Sequence, residues 1–245
     1  MKKFLLQASG LMLVGLLYSA AGMAADSSEL YYEIANVKVA PVVETFDQNT
    51  KPVMGNCQSG GAASPSDVGG DLDNISVIID KIINIGKKIW SLVEAGKPVF
   101  NVKTDVAHAL PAGIQCWYDL ESWQAPQSKS WRITYENKLG GKVVEFVYRV
   151  SYIAGGQYKG QGHYITQATI SPAEIYVAWG YKFNVEGSVP SVFNMGSREN
   201  PIAGMQMNIK WSVDTSLNHH EVQEQFFVNG LGEFQKMQSR EIKSW

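Results

Sequence analysis

Two cysteines and four histidines are all that this 245-residue chain holds of the side chains that most often carry redox, metal or nucleophilic chemistry. Cys57 and Cys116 form no CxxC pair and have no histidine close by in sequence, which removes a thioredoxin-like motif and a two-thiol zinc site. The histidines are His108, His163, His219 and His220. His219 and His220 are adjacent, so on a strand they face opposite sides and cannot share one metal. The chain has no GxSxG elbow, no HExxH, no P-loop and no cysteine nucleophile with a histidine partner. The "DLDN" segment at 71–74 lacks the glycine and distal glutamate of a calcium loop, and it reads as a helix cap. No catalytic, metal or cofactor residue is therefore expected. The enzyme alternative is a hydrolase without a linear motif, built on a carboxylate pair that geometry alone would identify. Glu145, Glu174 and Glu186 read as solvated strand or turn residues.

Charge is also scarce. Charged side chains make up 18% of the chain and the formal net charge is −2. No basic stripe offers the counterion-release advantage that nucleic-acid binding draws on. Beyond the first 25 residues, no stretch holds 18 uninterrupted apolar residues, so no second spanning helix is expected. No repeat of 20–50 residues is visible.

What is present begins with an export signal. "MKKFLLQASGLMLVGLLYSAAGMAADSSE" opens with Lys2 and Lys3, continues with a short apolar run at 11–17, and supplies small residues at 20–25. This is the layout of a cleaved secretory signal peptide over 1–24, too short for a permanent span. Cleavage after Ala24 or Ala25 leaves one domain over 25–245, periplasmic or secreted, with a bacterial look to the leader. In an oxidising compartment, Cys57 and Cys116 are expected to pair.

Residues 30–46, "LYYEIANVKVAPVVETF", are rich in β-branched and aromatic side chains and read as a strand, with Pro41 at a bend or edge. Residues 48–74 are rich in Gly, Ser and Pro and read as a loop tethered by Cys57. Next comes "ISVIIDKIINIGKKIWSLV" at 75–93. At 100° per residue, Ile75, Ile78, Ile79, Ile82, Ile89 and Val93 share one half-circle with further aliphatics. Asp80, Lys81, Asn84, Lys87, Lys88 and Glu94 fill the other half. That period predicts an amphipathic helix over 74–95 with its apolar face on the protein's own core. Gly86 would then stand mid-helix, where only close approach of another element justifies it.

Beyond residue 99 the period becomes two. Trp131, Ile133 and Tyr135 alternate with Arg132, Thr134 and Glu136, and Leu139, Gly140 and Gly141 make a turn. Similar runs follow at 143–153, 163–171, 175–185, 205–213 and 222–229, with Trp131, Trp179 and Trp211 read as core. Gly, Pro and Asn turns separate them every eight to fifteen residues. The fold class expected is mainly β: an antiparallel β-sandwich of about seven to ten strands, with one helix inserted after the first strand.

Seven Trp and eleven Tyr are many for this length. Trp117, Tyr118 and Trp123 in "CWYDLESW", with Tyr158 and Tyr164 at the Gly-rich turn, are candidate contacts for a protein or glycan partner. Packing beneath Cys116 is the competing expectation for them. The leading functional expectation is an exported, non-enzymatic binding or structural module acting at the cell envelope or outside it. A membrane-active or pore-forming protein using the 75–93 helix is the second. A helix joined to an aromatic-rich sandwich resembles the layout of the actinoporin type of toxin, and that resemblance implies membrane contact through the helix. An outer-membrane barrel is disfavoured, because Glu241 and Lys243 share a face with Trp245 where lipid would lie.

Overall fold

The computed structural model describes residues 27–43, 77–86, 88–95, 105–114, 116–237 and 240–242. The expected signal peptide over 1–24, the segment 48–74 read as a loop, Cys57 and Ile75 lie outside the described residues. Among the described residues, a short helix α1 (Ser27–Tyr32) is followed by twelve strands. They are β1 (Ile34–Val42), β2 (Ile78–Ile85), β3 (Lys88–Ala95), β4 (Ala107–Ala112), β5 (Gln127–Asn137) and β6 (Lys142–Tyr158). After these come β7 (Gln161–Val177), β8 (Lys182–Asn194), β9 (Ala203–Asp214), β10 (His219–Asn229), β11 (Phe234–Lys236) and β12 (Arg240–Ile242).

The strands form two antiparallel sheets packed as a β-sandwich, as the alternating runs predict. The first sheet has the order β1-β5-β6-β7-β4-β2. The second runs β11-β10-β9-β8-β3, with β12 also paired to β10. Alternation does the sorting. On β9, Met205, Met207, Ile209, Trp211 and Val213 are buried; on β10, Val222, Phe226 and Val228 are buried. They meet Ile133, Tyr135, Phe146, Tyr148 and Val150 of the opposite sheet in one core. Each inner face is a period-two stripe, so closing the two stripes on each other removes both from water. The strand count exceeds the expectation partly because β11 and β12 are three-residue pieces.

The larger reason is a correction. Residues 78–85 and 88–95 are strands, not a helix. β2 pairs with β4 on the edge of the first sheet, while β3 pairs with β8 on the edge of the second. The segment is therefore a strap that crosses from one sheet to the other. Two features imitate a helical period. A register shift between Ile78 and Ile82 breaks the strand alternation, and the change of sheet at Gly86 restarts it. Composition pointed the other way, since β-branched Ile fills the run and is stiff in a helix. Ile82 packs against the core and Ile78 and Ile83 are exposed, so no single apolar helix face exists. Gly86 does mark a close approach. Its φ is +87°, and a Cβ there would stand 2.4 Å from the Val106 carbonyl oxygen. The first strand is also shorter than expected, because Leu30–Tyr32 belong to α1.

Antiparallel pairing puts the β5–β6, β7–β8 and β9–β10 turns at one end of the sandwich. The β6–β7 hairpin tip, the 117–119 turn and the β10–β11 turn lie at the other. These two ends hold the candidate surfaces.

Candidate binding surfaces

The structure gathers Trp117, Tyr118, Trp123, Tyr158 and Tyr164 at the end carrying the β6–β7 tip, but it gives them unequal roles. Trp117, Trp123 and Tyr158 are half-buried against a second small core of Leu110, Ile114, Leu120 and Tyr164. The Trp117 and Tyr118 rings lie 4.0 Å apart, and Trp123 meets Trp117 edge-on at 6.4 Å. The Trp123 indole N–H donates to the Trp117 carbonyl oxygen at 3.2 Å. Its ring lies so close over Gly156 that a Cβ there would stand 2.2 Å from it. Tyr164 is fully buried and donates to the Ile79 carbonyl at 2.8 Å, so its hydroxyl pins the strap β2 and is pushed above its ordinary pKa by burial. Tyr118 alone of the five is exposed, at 61%. Packing accounts for most of this cluster. Cys116 directly precedes it, and no free cysteine occurs among the described residues.

At the opposite end, α1 ties three turns together. Tyr31 donates its hydroxyl to the Trp179 carbonyl at 3.0 Å, and Tyr181 donates its own to the Tyr31 carbonyl. Asn137 donates from Nδ2 to the same Tyr31 carbonyl at 3.1 Å, and the Lys138 amide donates to the Glu33 carbonyl at 3.0 Å. Asn218 donates from Nδ2 to the Tyr32 carbonyl at 3.4 Å. Burial raises the Tyr181 hydroxyl pKa to about 12, which keeps it a donor throughout the physiological range. Tyr31, Tyr32 and Tyr181 pack edge to face, with Tyr31 5.0 Å from Tyr32 and 5.7 Å from Tyr181.

Each of those three turns presents a large apolar side chain to solvent. Leu139 is 55% exposed, Trp179 79% and Leu217 52%. Trp179 corrects the sequence reading, which placed it in the core. The β7–β8 turn at 178–181 falls in phase with the alternation on both sides, so Trp179 looks like one more inward strand residue. The following Gly180, a turn former beside an aromatic, was the available signal. Tyr176 is exposed next to these tips, with Lys142 5.6 Å over its ring. Lys138 pairs with Glu33, and Lys142 pairs with Glu145 at 3.0 Å. Lys182 at the start of β8 is exposed.

His219 and His220 stand beside this end and have separate partners. His219 Nδ1 contacts Asp214, whereas His220 Nδ1 lies 2.9 Å from the Tyr135 hydroxyl, which also accepts from the Trp211 indole at 2.8 Å. A shallow cleft of about 300 Å3 between these histidines and Asn36 is mostly open to solvent. Among the described residues, no group of three His, Cys, Asp or Glu side chains could hold a metal.

One ionic group lies inside the sandwich. Glu224, on the inner face of β10, is fully buried. Its carboxylate accepts from the Tyr148 hydroxyl and, at 2.9 Å, from Lys236 Nζ. Lys236 stands 5.1 Å over the Trp131 ring and 6.0 Å over Phe226. Burial first, and the Glu224 charge second, drive the Tyr148 hydroxyl far above its ordinary pKa.

The chain matches no family model, no curated protein and no solved structure.

Proposed function

We propose that this chain is an exported, non-enzymatic binding module that works at the cell envelope or outside it and docks through the α1 end of its sandwich. The observation carrying this reading is the set of three apolar tips, Leu139, Trp179 and Leu217, on turns that one helix holds together. Scattered single apolar side chains are ordinary on a surface, but a set on rigidly tied turns is a marker of an interaction site. Holding the turns in advance lowers the ordering cost of binding. The Trp117–Tyr118 end is the weaker candidate, because packing already uses four of its five aromatics.

The reading includes cleavage after Ala24 or Ala25 and a Cys57–Cys116 disulfide. The apolar leader supports the first point, and the presence of two cysteines in a chain read as exported supports the second. Membrane action through a 75–93 helix is not part of it, since that segment is a pair of strands. With the helix goes the resemblance to the actinoporin layout.

The test is binding of the exported protein to isolated cell-envelope material, compared with the Trp179→Ser and Tyr118→Ser variants. Loss with Trp179→Ser and retention with Tyr118→Ser is the expected result. The opposite pattern would move the docking surface to the other end.

A further inference from the structure

We propose that the partner at the α1 end is a lipid bilayer interface, into which Leu139, Trp179 and Leu217 insert as three separate tips. This rests on the docking surface proposed above and names what it meets. The shape argues first. The apolar side chains stand on three separate turns around α1, two of them hairpins (β5–β6 and β9–β10) and the third, β7–β8, crossing between the sheets, so they are separate projections rather than one strand face. A protein interface of standard size needs a continuous complementary core on both sides. A fluid bilayer accommodates separate projections without such a match.

Composition argues second. Trp and Leu hold the tips, exposed Tyr176 stands beside them with half-buried Tyr31 and Tyr32 behind, and the cations on or next to the turns are Lys138, Lys142 and Lys182, with Arg132 further along β5 held by Glu145 and Glu174. Aromatic collars mark the headgroup level, and lysines there extend their charge to the headgroups while the stem stays apolar. Protein interfaces are instead depleted in Lys and enriched in Arg.

Chain path argues third. The apolar 11–17 run precedes α1 in sequence, and α1 lies across this end. Lys138 and Lys142 are paired with Glu33 and Glu145, and Glu29 and Asp214 lie nearby, so the end holds both signs of charge in similar measure. Binding should therefore draw on apolar insertion more than on anionic attraction.

The experiment is co-sedimentation of the exported protein with protein-free vesicles of phosphatidylethanolamine and phosphatidylglycerol, at low and high salt. In parallel, Trp fluorescence is quenched with brominated lipid. Expected are binding that changes little with salt, and bromolipid quenching that disappears in Trp179→Ala. Partitioning should weaken by about tenfold for Trp179→Ala, and similarly for the Leu139→Ser/Leu217→Ser pair. Tyr118→Ala should bind as the native protein does. Unchanged melting temperatures of the tip variants show that the fold is intact, because those side chains face solvent and α1 binds the Trp179 backbone. Absence of vesicle binding by the native protein, or equal binding by Trp179→Ala, overturns the proposal. A further arm uses lipid-extracted envelope material. If the native protein binds it and Trp179→Ala does not, the docking surface stands and its partner is protein or glycan. If Trp179→Ala binds both materials as the native protein does, the docking surface itself is wrong.

Discussion

Glu224 is a carboxylate in a position that alternation reserves for an apolar side chain, between Val222 and Phe226 on the inner face of β10. Taking a charge out of water costs several kcal/mol, and here Lys236 and the Tyr148 hydroxyl offset it. Removing one partner should hurt more than removing both. Lys236→Met should lower unfolding free energy by about 3 kcal/mol, near the bottom of the usual range because Lys236 still reaches solvent. The double variant Glu224→Leu/Lys236→Met should recover most of that loss in urea titrations. His108 makes the pH prediction. It is buried, shares a 2.7 Å hydrogen bond with Thr166 Oγ1, and burial lowers its pKa to about 4 from the ordinary 6.5. The unfolded chain therefore binds the proton more readily, so its contribution to stability is complete above pH 6.5 and fades as pH falls toward 4. The loss across that window should be about 3 kcal/mol. In His108→Gln, which carries no charge at either pH, the difference in unfolding free energy between pH 7 and pH 4, read from urea titrations, should shrink by that amount.

The strap from β2 to β3 is the element on which local pattern and tertiary structure disagree most. As a helix, Ile82 and Ile83 would both lie on the apolar half. As a strand, Ile82 packs on the core and Ile83 points to solvent. Replacing each by Ser separates the two arrangements. Ile82→Ser should cost about 2 kcal/mol and lower the melting temperature, while Ile83→Ser should stay within about 0.5 kcal/mol of native. Equal losses would favour a helix. The strap also has a job that a helix could not do as well. It supplies an edge strand to each sheet in turn, so one continuous segment holds the same side of both layers. The change of sheet needs a residue with positive φ and no side chain against the Val106 carbonyl, which Gly86 provides.

Across the whole molecule, β1 pairs with β5, so Ile34 lies opposite Asn137 and Val42 opposite Ser130. Both proposed disulfide cysteines fall inside the connection between these strands. A Cys57–Cys116 bond would therefore shorten the chain that must be ordered before β1 can pair. In the chain-entropy picture, closing roughly 60 residues stabilises the fold by roughly 4 kcal/mol. Reduction, or the Cys57→Ser/Cys116→Ser variant, should lower the urea midpoint accordingly. Non-reducing intact mass of the protein expressed with its full leader checks the proposed bond and the proposed cleavage together, since free thiols would contradict the first and retained leader residues the second.

The amino-acid order alone determined the class of fold and the inner face of most strands, because a period of two over β5, β6, β9 and β10 has one consistent burial. It also marked Gly86 as a place of close approach. Of the candidate contacts, it located the Trp117–Trp123 cluster as a unit but not which of those rings face solvent. Tertiary structure decided that, along with three other matters. It turned the 75–93 segment into two strands, because free edges on two sheets could pair with it and its register shift hides the alternation. It turned Trp179 outward, because a turn in phase with its flanking strands leaves no trace in the period. And it brought Leu139, Trp179 and Leu217 around α1, since proximity between turns far apart in sequence follows from strand order across two sheets, which no local window of residues contains.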